Sequence, residues 1–110
     1  GEQKRDLVFA DDVAEALDLA SWSAAFKGGE IYNVACSTPW TFNEVVKAIN
    51  KALKTKLKPL YIPFPENKYQ TKYIDIQYLD TTKIREAGWS PQVDLHEGIK
   101  RIIASKQTNK

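Results

Sequence analysis

The sequence predicts a mixed α/β domain of three to four short strands and four helices. Three observations carry that prediction. Apolar residues recur at three- and four-residue intervals in three stretches, the mark of amphipathic helices. Short runs rich in strand-forming residues lie between those stretches. Two boxes of the Thr/Asp-x-x-Glu type, Thr41–Glu44 and Asp94–Glu97, announce helix starts, because side chain and backbone satisfy each other's exposed N–H groups there.

In chain order, residues 5–10 read as a strand built on Leu7, Val8 and Phe9. Asp11 or Asp12 then caps a helix, where an acid also suits the positive end of the helix dipole. Val13, Ala16, Leu17, Ala20 and Ala24 mark its buried stripe, and Gly28-Gly29 ends it, since glycine accepts the left-handed backbone of a C-terminal cap. Glu30–Ala35 reads as a second strand. Cys36–Trp40 reads as a loop, with Pro39 excluding strand pairing. Behind the Thr41 box, Phe42, Val45, Val46, Ile49, Ala52 and Leu53 line one face of the clearest helix, running to about Lys54. Leu57–Phe64, broken by Pro59 and Pro63, is an edge strand or an irregular connection, and Glu66–Lys72 is a loop. Tyr73–Leu79 alternates as a strand. Asp80 or Thr81 opens a short helix ended by Gly88, and Trp89-Ser90-Pro91 turns the chain into a last helix burying Leu95, Ile99, Ile102 and Ile103. Residues 1–105 form one domain on this reading, and 106–110 a frayed tail with nothing to pack against.

Composition narrows the function. With 110 residues, 43% of them hydrophobic and 27% charged, the chain is long enough for one core and too short for two. The net charge of +2 is mild, and Lys47, Lys51, Lys54, Lys56 and Lys58 fall between the apolar positions of a helix or beside it, as a solvated face does. A nucleic-acid surface would interleave its cations with stacking aromatics, so no nucleic-acid partner is expected. No apolar run approaches a membrane span and no signal-peptide pattern opens the chain, so no membrane partner is expected either. A single cysteine, Cys36, rules out an internal disulfide and suits a reducing cytoplasm.

Self-contained chemistry is scarce. His96 is the sole histidine, so a metal centre of the usual Cys/His kind is not expected, and its place at the third position of a capping box reads as a surface residue and not a catalyst. Asp11-Asp12 is explained by capping, and Cys36 by burial. There is no Gly-x-Gly-x-x-Gly turn, no phosphate loop and no Tyr-x-x-x-Lys. Arg5 has two readings: a surface pair with Asp6 or another acid, worth little, or a planar, permanently charged fork at the end of a strand, suited to a phosphate or carboxylate.

Five segments together resemble the C-terminal part of the NAD-dependent sugar-nucleotide epimerases and dehydratases, the extended short-chain dehydrogenases/reductases. Arg5-Asp6 followed by Val8–Ala14 resembles the family's arginine–aspartate strand running into an aspartate-valine-alanine helix. Ile31–Val34 resembles its late sheet strand, and Thr41–Glu44 the start of the next helix. Leu79–Ile84 with Ala87–Pro91 resembles its aspartate…lysine…glycine-tryptophan signature, and Leu95–Ile99 its last helix. Tyr61–Pro65 followed by Glu66–Gln70 is most similar to ADP-glycero-manno-heptose 6-epimerases.

The resemblance implies the substrate-binding part of that fold without its Rossmann N-terminal half. The cofactor fingerprint and the Tyr-x-x-x-Lys pair are expected upstream of residue 1, so this chain alone binds no cofactor, while intact relatives use NAD or NADP. The implied ligand is a nucleotide-diphosphate sugar, with Arg5, Lys68, Tyr69 and Gln70 as substrate-binding residues and no catalytic residue of the chain's own. The diphosphate would be gripped so that the sugar is positioned for hydride transfer. Ala35 and Ser37 stand where the family often has glycine. An alternative is an interaction module: strands such as Ile31–Ala35 would lack their sheet, and their free edges would invite a homodimer.

Overall fold

The structure is a computed structural model and describes residues 1–63 and 74–108. The described residues form, in order, β1 (Lys4–Asp6), α1 (Ala10–Trp22), β2 (Pro39–Thr41), α2 (Phe42–Leu53), β3 (Ile76–Gln77), α3 (Thr82–Glu86) and α4 (Leu95–Thr108). The sheet order is β2-β1-β3. β1 pairs antiparallel with β2, Arg5 opposite Trp40, and parallel with β3, Arg5 opposite Gln77. The central strand is therefore the one that carries Arg5.

Local chemistry sets the clearest element. Thr41 caps α2 with the full reciprocal box: its hydroxyl accepts from the Glu44 N–H at 3.0 Å, and the Glu44 carboxylate accepts from the Thr41 N–H at 2.8 Å. The helix ends at Lys54, which takes a left-handed φ of 55°. α4 opens on Asp94, whose carboxylate accepts from the Glu97 N–H at 2.8 Å, while the Glu97 side chain turns to Arg101 instead of closing the box. α2 and α4 pack on each other.

The core is small. Trp89 and Ile84 are the largest fully buried side chains, joined by Ala16, Ala35, Ala48 and Val93. Val8, Leu19, Phe26, Tyr32 and Val34 pack around it. Many large apolar side chains stay outside, among them Leu17, Ile31, Leu57, Leu60 and Ile62. The accessible surface is 8825 Å², against the roughly 6,200 Å² expected of a folded monomer of this mass. The fold positions its elements but leaves apolar faces uncovered.

Several sequence expectations are corrected. The first strand is Lys4–Asp6, and Leu7–Phe9 leave the sheet to enter α1. Phe9, not Asp11 or Asp12, is the N-cap, with no side-chain cap, because the Asp12 carboxylate is committed elsewhere. α1 stops at Trp22, six residues before Gly28, and its stripe is narrow: Ala16 is buried while Leu17, Ala20 and Ala24 are exposed. Glu30–Ala35 forms no strand, 57–63 take the irregular connection and not the edge strand, and of the described residues 74–79 only Ile76–Gln77 pairs. Pro39 joins β2 opposite Asp6, at a sheet edge where a missing N–H is tolerated. In α4 the buried residue is Gly98, and Ile102 is exposed.

Candidate functional site

Arg5 lies at the middle of the central strand, not at a strand end. Its guanidinium donates to the Lys4 carbonyl at 2.7 Å, and among the described residues no carboxylate forms an ion pair with it. The surface-pair reading with Asp6 is thereby set aside, because the Asp6 carboxylate is taken up by backbone N–H groups instead. Arg5 and Asp6 border a cavity of about 260 Å³, lined besides them by Val8, Val34, Ala35, Gln77, Tyr78 and Leu79.

Asp6 explains those walls. Its Oδ1 accepts from the Cys36 N–H at 2.9 Å, and its Oδ2 from the Ser37 N–H at 2.9 Å and the Leu79 N–H at 3.3 Å. Ser37 holds a left-handed φ of 56°, a conformation that costs a side-chain-bearing residue about 1 kcal/mol or more. Bonds offset that cost: the Ser37 hydroxyl donates to the Leu79 carbonyl at 2.6 Å and lies 2.8 Å from the Thr81 hydroxyl. Arg85 ties off the node, its Nε donating to Thr81 Oγ1 at 2.8 Å and its Nη2 to the Cys36 carbonyl at 3.1 Å. The left-handed turn accounts for glycine being suited to this position.

Cys36 sits at the centre of that node. Burial pushes its thiol above the ordinary value, and the nearby Asp6 and Asp12 carboxylates push the same way against Arg85. Such a thiol is a poor nucleophile. Asp12 forms a second, separate node: buried to 2% exposure, it accepts from the Gln92 N–H and the Val93 N–H, both at 3.0 Å. Sequence reasoning assigned Asp12 to capping and gave Asp6 no role beyond a neighbour of Arg5. Their partners are 30 to 81 residues away, and no local pattern signals them.

Lys68, Tyr69 and Gln70 lie outside the described residues. Among the described residues there is no group of three or more His, Cys, Asp or Glu able to hold a metal ion. His96 is exposed and meets the Trp40 ring edge-on at 5.9 Å. No helix among the described residues is long and apolar enough to cross a membrane.

Residues 1–102 match the family described as GDP-mannose 4,6 dehydratase. The chain belongs to this family. With it come the epimerases and dehydratases of the extended short-chain dehydrogenase/reductase fold. The chain is 34% identical over 106 residues to the UDP-glucose 4-epimerase of Mycolicibacterium smegmatis, an alignment covering 94% of this chain and 31% of that protein. The crystal structure of UDP-glucose 4-epimerase with UDP-glucose from Thermotoga maritima matches with a TM-score of 0.79 at 30% identity, covering 100% of this chain and 34% of that one. The dTDP-glucose 4,6-dehydratase of Bacillus anthracis, solved with NAD, shares the fold at 19% identity and a TM-score of 0.73, over 99% of this chain and 33% of that one. The chain thus spans about a third of the length of the relatives it matches. It is an α/β fragment of that fold.

Proposed function

We propose that this chain is the part of a sugar-nucleotide epimerase or dehydratase that grips the diphosphate of its substrate, and that residues 1–105 act as one substrate-binding unit without catalysis of their own. The observation that carries this is Arg5: a guanidinium on the central strand, beside a cavity and without a carboxylate partner among the described residues. An unpaired fork of this kind fits a diphosphate with two parallel, charge-assisted hydrogen bonds. Lys68, Tyr69 and Gln70 complete the grip on this reading. The chemistry of a dinucleotide does not fit the residues present, since the sequence holds neither a Gly-x-Gly-x-x-Gly turn nor a Tyr-x-x-x-Lys pair. The oxidation and reduction of the sugar therefore belong to residues this chain does not contain, with NAD or NADP, and the protein works in the cytoplasm.

Titration of the ¹⁵N-labelled chain with UDP-sugars and with an ADP-sugar tests the reading. Shifts should centre on residues 4–6 and 77–79, and Arg5→Ala should weaken binding about tenfold, the worth of one charged hydrogen bond. A uridine preference would follow the relatives above, and an adenine preference the heptose-epimerase likeness of Tyr61–Gln70. Unchanged spectra with every nucleotide sugar sink the proposal. NAD(P) should give no heat of binding in calorimetry.

One observation favours a second reading, a self-associating module. Among the described residues, 30–35 join no ladder, and Ile31 is 85% exposed. An uncovered extended segment is a template for pairing with another copy. Light scattering across a concentration series should then report a dimer, and a strictly monomeric species removes this reading.

A further inference from the structure

We infer that Asp6 is a positioning residue for the Arg5 cavity: its carboxylate fastens the Cys36–Ser37 turn and the Leu79 backbone to the central strand, and so sets both far walls against Arg5. The inference rests on the diphosphate reading above and names the group that shapes the same site.

The geometry supports it from three sides. One carboxylate takes three backbone N–H groups from two segments that have no ladder between them. Those segments continue directly into the cavity walls, Val34–Ala35 before Cys36 and Gln77–Tyr78 before Leu79. Asp6 also follows Arg5 in the chain, so any shift of its anchor moves the guanidinium's own backbone. An asparagine cannot substitute. It offers one oxygen and one NH₂ group, so either the Cys36 N–H or the Ser37 and Leu79 N–H pair would face another donor.

Asp12 supplies the control. It performs the same kind of fastening, with two backbone N–H groups on one buried carboxylate, but its partners Gln92 and Val93 do not line the Arg5 cavity. A merely structural role predicts that the two aspartates behave alike. A positioning role predicts that they differ.

The test compares Arg5→Ala, Asp6→Asn and Asp12→Asn in the full 110-residue chain. UDP-glucose titration gives the affinity, thermal unfolding the stability, and amide hydrogen exchange the local order. Asp12→Asn should lower Tm and leave the UDP-glucose Kd within about twofold. Asp6→Asn should weaken it about tenfold, as Arg5→Ala does, with faster exchange confined to residues 34–37 and 77–79. Equal affinities for Asp6→Asn and Asp12→Asn overturn the inference. If Asp6→Asn does not fold, Asp6→Glu replaces it. That variant keeps both acceptors but moves them outward by one methylene, and it should lose affinity with little loss of Tm; unchanged affinity overturns the inference. If the unsubstituted chain does not bind UDP-glucose or any other nucleotide sugar, the diphosphate reading fails on its own. The exchange pattern then decides Asp6: loosening confined to the two walls supports it, and loosening spread through the fold overturns it.

Discussion

The indole N–H of Trp89 donates to the main-chain carbonyl of Asp12 at 2.9 Å, across 77 residues of chain. The same aspartate's carboxylate takes the N–H groups of Gln92 and Val93. Between them, one side chain and one residue lock the start of α1 to the turn before α4. Trp89 is 1% exposed, so its polar atom needs this partner.

Substitution at this lock should be costly. Trp89→Ala is expected to destabilise the chain by about 4 kcal/mol, the usual range for removing a buried aromatic. Asp12→Ala should cost about 3 kcal/mol, because two backbone donors in or near the core lose a charged acceptor. The indole bond goes to the Asp12 main chain and survives that change. Urea unfolding of each variant measures both.

The capping box of α2 makes stability depend on acid. Hydrogen bonds from the Thr41 N–H, and then from its hydroxyl, hold the Glu44 carboxyl below its ordinary value. The unfolded chain therefore takes up that proton more readily. The stabilisation is present above the unfolded pKa and drains away as pH falls through the lower folded one. Between about pH 6 and about pH 3, the urea midpoint of the unsubstituted chain should fall further than that of Glu44→Gln.

Cys36 should resist alkylation. Burial and the Asp6 and Asp12 charges raise its thiol, so its rate with iodoacetamide near neutral pH should lie below that of a free cysteine. The midpoint of the rate–pH profile should drop in Asp6→Asn, where one of those charges is gone.

Gly98 offers a stabilising change. A Cβ there would meet the Phe9 ring at 3.0 Å and Val93 Cγ1 at 3.7 Å. The ring borders a cavity of about 300 Å³ between residues 7–9, α2 and α4, which gives it room to yield. Gly98→Ala should then gain about 0.5 kcal/mol from helix propensity, read as a higher urea midpoint. A lower midpoint would mean that Phe9 cannot move.

The sequence was most legible where the physics is local. The Thr41–Glu44 box names its own helix because both halves lie within four residues, and α2 starts where that pattern predicts. Among the described residues, the four helices fall in the stretches that such short-range rules mark, whereas of the three strands β2 lies in a segment read as a loop. Legibility failed where a long-range partner decides. Asp12 has the composition of a cap and the job of a lock. Pro39 argues against a strand by its chemistry, yet joins one because β2 is an edge. Glu30–Ala35 has strand-forming residues but no neighbouring strand among the described residues, so its propensity goes unused. Arg5 was visible as a candidate; its central place in the sheet and its cavity were not, since both depend on Gln77 and Leu79, more than seventy residues on.

The two aspartate fastenings also dictate when the chain can mature during its own synthesis. Asp6 and Asp12 are made well before their farthest partners, since Leu79, Gln92 and Val93 arrive 73 to 81 residues later. Translation releases the early residues long before the late ones, and closing so wide a loop costs entropy before any bond repays it. Until Val93 has left the ribosome, the Asp12 carboxylate lacks one of its two backbone partners, while Asp6 already has Cys36 and Ser37 within reach. A nascent chain arrested short of that point should be cut by protease within β1 and α1, and one arrested beyond it should not.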